Sequence, residues 1–400
     1  MDPSIAPRNI QDSFSERRAK GCALGLMLGD SLGAGCEGWP AEEIQRFAQD
    51  TWNSNKIEGF FEAVHMGTFV SAGQPGQYRP ATELEESSFV PTGPPSNEAV
   101  AKQCARRAMY TDDTNQALAL AASILENDGV DADFVAQSYA KAFQREPYRG
   151  VPPSSKRVMG AIIQGEPARK TGLPPYFPFA GGSFANGGAM KISLLSIPYR
   201  NAQPPVLRTA VEQAILSTHR HPEAIDFAVA QAATVQYCLR STPETFDPIE
   251  LLSDLIQSRC TTEPMCSALQ ATRDAYCEHL RSNFVACNDH ATISAILKVH
   301  PRPGSGMSFQ IASVHMAPCV MWILCRYYGQ PLAAVQAAIS LGGDTDTLAS
   351  MVGAAVGALH GEDWCKPLLD EMENGLYGRD YAIELACKLS LLDLGASSMI

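Results

Sequence analysis

Hydrophobic residues recur through most of this chain at three- and four-residue spacing, the period of an amphipathic helix. The spacing predicts helices over Glu16–Leu32, Thr114–Glu126, Ala132–Arg145, Val206–Thr218, Pro222–Arg240 and Pro248–Ile256. It predicts others over Pro264–Leu280, Met307–Tyr328, Pro331–Ile339, Thr345–Leu359 and Tyr381–Leu391. Ala, Leu, Gln and Glu fill these segments. Several open on proline, whose missing N–H costs nothing in a first helical turn. No run of alternating β-branched residues marks a strand, so the expected fold class is all-α.

Three stretches interrupt the pattern. Ser71–Asn97 is rich in Gly, Pro and Ser and reads as an irregular surface insertion. Thr171–Gly188 is a Gly/Pro/aromatic loop of a length that compact helical domains seldom carry unless it serves a site. Lys298–Gly306 is a shorter break. Helical pattern resumes on either side of each, so residues 16–400 are expected to form a single domain behind a flexible N-terminal tail, residues 1–15.

Composition narrows the function classes. The 400 residues carry a formal net charge of −12, which repels phosphate backbones and disfavours stable nucleic-acid binding. No basic start followed by an apolar run suggests secretion, and the most apolar stretch, Met316–Cys325, is too short to span a bilayer. The 12 cysteines form no Cys-x-x-Cys pair. They read as reduced thiols of a cytoplasmic or nuclear protein that is neither secreted nor membrane-bound. A monomer is expected.

The candidate chemistry lies in two acidic clusters about 230 residues apart, Tyr110-Thr111-Asp112-Asp113-Thr114 and Gly342-Gly343-Asp344-Thr345-Asp346-Thr347. Each precedes an Ala-rich helix. Asp and Thr are good N-caps, which accounts for one residue per cluster. It does not account for carboxylates packed in pairs beside helices that must be largely buried, because buried like charges are expensive unless neutralised. A bound cation neutralises them. A ligand set of carboxylates and hydroxyls without Cys or His favours Mg²⁺, then Mn²⁺ or Ca²⁺, and four to five carboxylates suit two ions. This holds only if the clusters meet in space.

Three other features stand out. Gly25, Gly29 and Gly33 share one helical face, which suits close helix packing. Glu37 follows in a glycine-rich turn and is a candidate mobile general base or metal ligand, with a solvated loop residue as the plain alternative. Gly181-Gly182-Ser183-Phe184-Ala185-Asn186-Gly187-Gly188 is expected to open a helix, where successive amides would cradle an anion, with an ordinary flexible loop as the plain alternative. His219 ends one helix before the next begins, a place that suits a cap or core residue as well as a ligand contact.

In this order, GLMLGDSLGAGCE, YTDDT, NGGAMK, the Thr218-His219 pair and SLGGDTDTLASMVGA resemble the ADP-ribosylglycohydrolase family, from about residue 20 to 360. That family includes dinitrogenase reductase-activating glycohydrolase and the ADP-ribosylserine and ADP-ribosylarginine hydrolases. The resemblance implies a compact orthogonal helical fold with two Mg²⁺ ions, replaceable by Mn²⁺, at the base of an ADP-ribose cleft. By position, Thr111, Asp112, Asp113, Asp344, Asp346, Thr347 and Glu37 would hold metal, with Glu37, Asp112, Asp113 and Asp344 catalytic. Gly182, Ser183, Phe184, Ala185, Asn186 and His219 would contact ligand.

The sequence departs from the family pattern where Ala185 replaces a glycine, Lys191 an arginine, and Arg149-Gly150-Val151-Pro152 an Arg-Gly-Tyr-Gly segment. The expected activity is cleavage of the ribose C1″ glycosidic bond of an ADP-ribosylated protein or small molecule, O-linked serine first, releasing ADP-ribose. The alternatives are an arginine-directed N-glycohydrolase and a non-catalytic ADP-ribose-binding or crystallin-like member. A helical prenyl-diphosphate synthase would need Asp-Asp-x-x-Asp, which the first cluster lacks.

Overall fold

The structure, a computed structural model, describes residues 10–61, 108–147, 149–285 and 287–395. In chain order its helices are α1 (Ile10–Gly33), α2 (Ala41–Trp52), α3 (Asp112–Glu126), α4 (Ala132–Arg145), α5 (Pro153–Ile163), α6 (Ala168–Thr171), α7 (Pro204–Ile215) and α8 (Pro222–Arg240). They continue as α9 (Pro248–Asp254), α10 (Glu263–Arg281), α11 (Asp289–Leu297), α12 (Ser313–Tyr327), α13 (Pro331–Ser340), α14 (Thr345–His360), α15 (Lys366–Leu369) and α16 (Arg379–Ser390). Among the described residues there are isolated backbone bridges but no strand, so the all-α expectation holds. No described helix is long and apolar enough to cross a membrane.

The central seam is antiparallel and made by small residues. On α1, Gly21 faces Gly357 of α14, Gly25 faces Gly353, Gly29 faces Ala349 and Gly33 faces Thr345. A Cβ on Gly25 would land on the Gly353 carbonyl, and one on Gly29 on the Ala349 carbonyl. The glycines therefore let the two backbones touch. This contact delivers the end of α1, with Glu37 just beyond it, to the start of α14, where the second acidic cluster sits. Around the seam pack fully buried residues of several helices, among them Leu28, Leu120, Phe227, Trp322 and Leu389.

Several expectations need correction. Helix α1 starts at Ile10, inside the segment read as tail, while Ser71–Asn97 lies outside the described residues. Helices α2, α5, α6, α11 and α15 are additional to the eleven predicted segments. The predicted start at Met307 is also wrong, because α12 begins at Ser313. The residues before it pair across to the Gly-rich loop: Asn186 N–H donates to Ile311 O at 2.9 Å and Ser313 N–H to Phe184 O at 3.0 Å.

That loop opens no α-helix either. Asn186–Gly188 is a single 3₁₀ turn, Ser193–Ser196 another, and the next α-helix waits until Pro204. Glycine is a poor helix former, and here Gly187 and Gly188 lie against His219, where a Cβ would meet the imidazole 3.2 Å away. Tertiary contact outcompetes helix propagation, and the expected helix-start anion cradle is absent.

Candidate active site

The first cluster is held from below. Thr111 caps α3 by accepting from Asp113 N–H. Asp30, fully buried in α1, accepts from Thr111 N–H (3.0 Å), Thr114 N–H (3.0 Å) and the Thr114 hydroxyl (2.5 Å). It therefore occupies the donors that a helix start leaves unpaired. Sequence reasoning passed over Asp30; the signal was a lone carboxylate on an apolar, glycine-lined helix.

The two clusters meet. Asp113 Oδ2 is 3.3 Å from the Thr111 hydroxyl and 3.4 Å from that of Thr347, and its Oδ1 accepts from Ser350 Oγ at 3.0 Å. Asp344 holds the N-cap position of α14, yet its side chain makes no cap bond there. It accepts instead from Asn186 Nδ2 at 2.5 Å. Carboxylate oxygens of Glu37, Asp344 and Asp346 lie within 4.8 Å of one another. Capping thus explains Thr111, while the paired carboxylates converge as the metal reading requires.

This convergence has an electrostatic signature. Burial pushes the Asp30 carboxyl up to about 6, against the pull of its Thr114 and Thr111 hydrogen bonds. Burial, followed by the charge of Asp30, takes Asp112 to about 7. Asp113, Asp346 and the half-buried Glu37 are driven well above the carboxylate range by burial first and by neighbouring carboxylates second. Such a group of acids holds protons or a cation.

A cavity of about 840 Å³ stands over this floor. Glu37, Asp112, Asp113, Asp344, Asp346 and Thr347 form its base. Ser183, Phe184, Ala185, Asn186 and His219 form one wall, and Val151 to Arg157 another. Two expected residues do not reach it: Thr111 stays beneath as the cap, and Gly182 makes a positive-φ turn (+78°) packed on Arg220. Lys191, Gln116, Thr218, Lys156 and Phe179 line the cavity without having been expected there. Glu37 sits in a latched turn: Gly38 N–H donates to Gly343 O at 2.7 Å and Gly343 N–H to Trp39 O at 2.9 Å. Any swing of its side chain therefore starts from a backbone fastened to the second cluster.

The family model described as ADP-ribosylglycohydrolase matches residues 11–397, so this chain belongs to that family. ADP-ribosylhydrolase ARH3 of Xenopus tropicalis is 29% identical over 64% of this chain and 74% of its own length. ARH3 of Homo sapiens is 26% identical over 86% of each chain, and YegU of Escherichia coli 26% identical over 92% of this chain and 96% of YegU. A solved chain described as an ADP-ribosylglycohydrolase-related protein complex shares the fold with a TM-score of 0.55 at 20% identity, covering 94% of this chain and 98% of that one. The protein is a glycosidase acting on ADP-ribosyl bonds, in a family that is generally metal-dependent.

Proposed function

We propose that this protein hydrolyses the C1″ bond of O-linked ADP-ribose, serine-linked first, with two Mg²⁺ ions that Mn²⁺ can replace. One observation carries the reading: carboxylates from α1's end, α3 and α14 converge at the floor of one cavity. The donor set fits the ions, since its oxygens include no thiol or imidazole and its like charges call for hard divalent cations. When bound, the ions supply charge neutralisation and Lewis acidity to the sugar hydroxyls and the attacking water.

The chain's own residues do the rest. Asn186 and Gln310 hold Asp344 by side chain and by backbone. Thr347 and Ser350 hold Asp113. Glu37, less buried than the Asp residues beside it, takes a proton from the attacking water and returns one to the departing serine oxygen. The bond from C1″ to serine breaks, the bond from C1″ to the water oxygen forms, and the other carboxylates stabilise the positive charge that develops on the sugar. The half-exposed Phe179 ring, 6.0 Å from Phe184, offers an apolar face to the adenine end.

The test is an assay on matched serine- and arginine-linked ADP-ribosyl peptides, with and without chelator. The expected result is faster release from serine, abolished by chelator and by Glu37→Gln. Full activity in chelator contradicts the metal assignment, and faster arginine cleavage contradicts the acceptor.

A further inference from the structure

Lys191 is among the largest fully buried side chains of the protein, yet it lines the cavity. Its hydrogen bonds go to two neutral oxygens, Gln116 Oε1 at 2.6 Å and Thr218 Oγ1 at 3.3 Å. Its Nζ also stands 4.7 Å from the centre of the Tyr139 ring. A buried cation needs compensation, and Asp112 and Asp113 supply it from nearby without an ion pair. Each neutral oxygen belongs to a side chain that acts on a different part of the cavity. Gln116 Nε2 donates to Asp112 Oδ2 at 3.3 Å, and Thr218 Oγ1 lies 2.9 Å from His219 Nδ1.

The protons at Thr218 can be counted. Its hydroxyl donates once, and its two candidate acceptors are His219 Nδ1 at 2.9 Å and the Ile215 carbonyl at 3.3 Å. That carbonyl already accepts from Thr218 N–H (3.0 Å) and His219 N–H (2.8 Å), which occupies both lone pairs. Nδ1 is therefore the nearer and less crowded acceptor for the hydroxyl proton, and Lys191, donating into the same oxygen, strengthens that bond. Burial, with the Lys191 charge behind it, keeps the ring neutral. A neutral ring bare at Nδ1 carries its proton on Nε2. Nε2 lies against Gly187, where a Cβ would sit 3.2 Å from it, on the loop that walls the cavity.

We propose that Lys191 is a positioning residue serving two parts of the cavity at once: through Gln116 it orients Asp112, and through Thr218 it locks His219 in the Nε2–H form, an uncharged donor for a ligand oxygen. Its effect on turnover rests on the function proposed above; its effect on His219 does not, so the two are tested separately.

The imidazole tautomer is read from ring nitrogen-15 spectra of the ligand-free protein, with His219→Gln identifying the signals. The wild type is expected to show a bare Nδ1 and a protonated Nε2. Lys191→Met is expected to shift the ring toward the Nδ1–H form and Lys191→Arg to restore it. Thr218→Val, which keeps the side-chain shape, should shift it as Lys191→Met does, and it carries the test if Lys191→Met does not fold. Calorimetry with Mg²⁺ alone reads the other arm: Gln116→Met should weaken binding on the order of 10- to 100-fold. An Nδ1–H ring in the wild type, or an unchanged ring in folded Lys191→Met or Thr218→Val, overturns the His219 arm. Unchanged Mg²⁺ affinity in Gln116→Met overturns the Asp112 arm. A protein with the expected spectra that cleaves no ADP-ribosyl peptide leaves the lock standing and removes the proposed function.

Discussion

The two acidic clusters are nearly alike in sequence and are held in opposite ways. The first is clamped by a carboxylate: Asp30 occupies the amides of Thr111 and Thr114 and adds a negative charge directly under Asp112 and Asp113. The second is held by neutral amides: Gln310 accepts from Asp344 N–H at 3.0 Å, and Asn186 donates to the Asp344 carboxylate. Gln310 fills the space beside Gly343, whose φ of +81° and lack of a Cβ admit it. The difference separates two tasks. The charged clamp is bound into the helix starts and serves the architecture, whereas the neutral supports fix an orientation without adding charge and leave the Asp344 carboxylate to the site.

Substitutions can break this contrast. Asp344→Asn is expected to lower turnover by about 10²- to 10³-fold, the scale of losing one preorganised charged group. The fold should persist, since a buried like charge is removed; assay and circular dichroism on the same sample check both. Asp30→Ala strikes the architecture instead, leaving two backbone amides and a hydroxyl without their acceptor, at a cost of about 3 kcal/mol in denaturant unfolding. Loss of activity without loss of stability would refute its role as a clamp. Gly29→Ala forces a methyl onto the Ala349 carbonyl and should cost about 2 kcal/mol, separating α1 from α14.

The smallest effect is one of pH. In the metal-free fold Asp112 sits near 7, against 3.8 for an unperturbed carboxyl, so the folded state keeps a proton that the unfolded chain gives up. Its favourable contribution is complete below about 3.8 and is lost as pH rises through about 7. Asp112→Asn mimics the protonated form, so its melting temperature should gain on that of the wild type as pH rises through this window. Saturating Mg²⁺ should shrink the gap by stabilising the wild type. A gap that narrows with pH in metal-free protein would contradict the crowded-carboxylate account.

Much of this was legible in the chain. Long periodic segments became helices, the glycines at 25, 29 and 33 did mark a close contact, and YTDDT and GGDTDT did mark the floor. What was missed depended on tertiary contacts. Helices α2 and α5 begin just after Pro40 and Pro152, in stretches whose turn residues mask a short amphipathic pattern. Residues 307–312 have helical spacing but spend their backbone groups on the loop around Asn186. Asp30 and Lys191 fall inside the glycine-rich segments and Gln116 just after YTDDT, but their roles come from partners 75 or more residues away, and from burial, that spacing alone cannot report.

The converging carboxylates are proposed to hold divalent metal. Crystals grown with Mn²⁺ and measured by anomalous scattering test this most directly. Two peaks are expected among Glu37, Asp112, Asp113, Asp344 and Asp346, with oxygen ligands only, and Asp344→Asn should lose at least one of them. A floor without any peak at saturating Mn²⁺, or ions bound only by thiol or imidazole elsewhere, would contradict it.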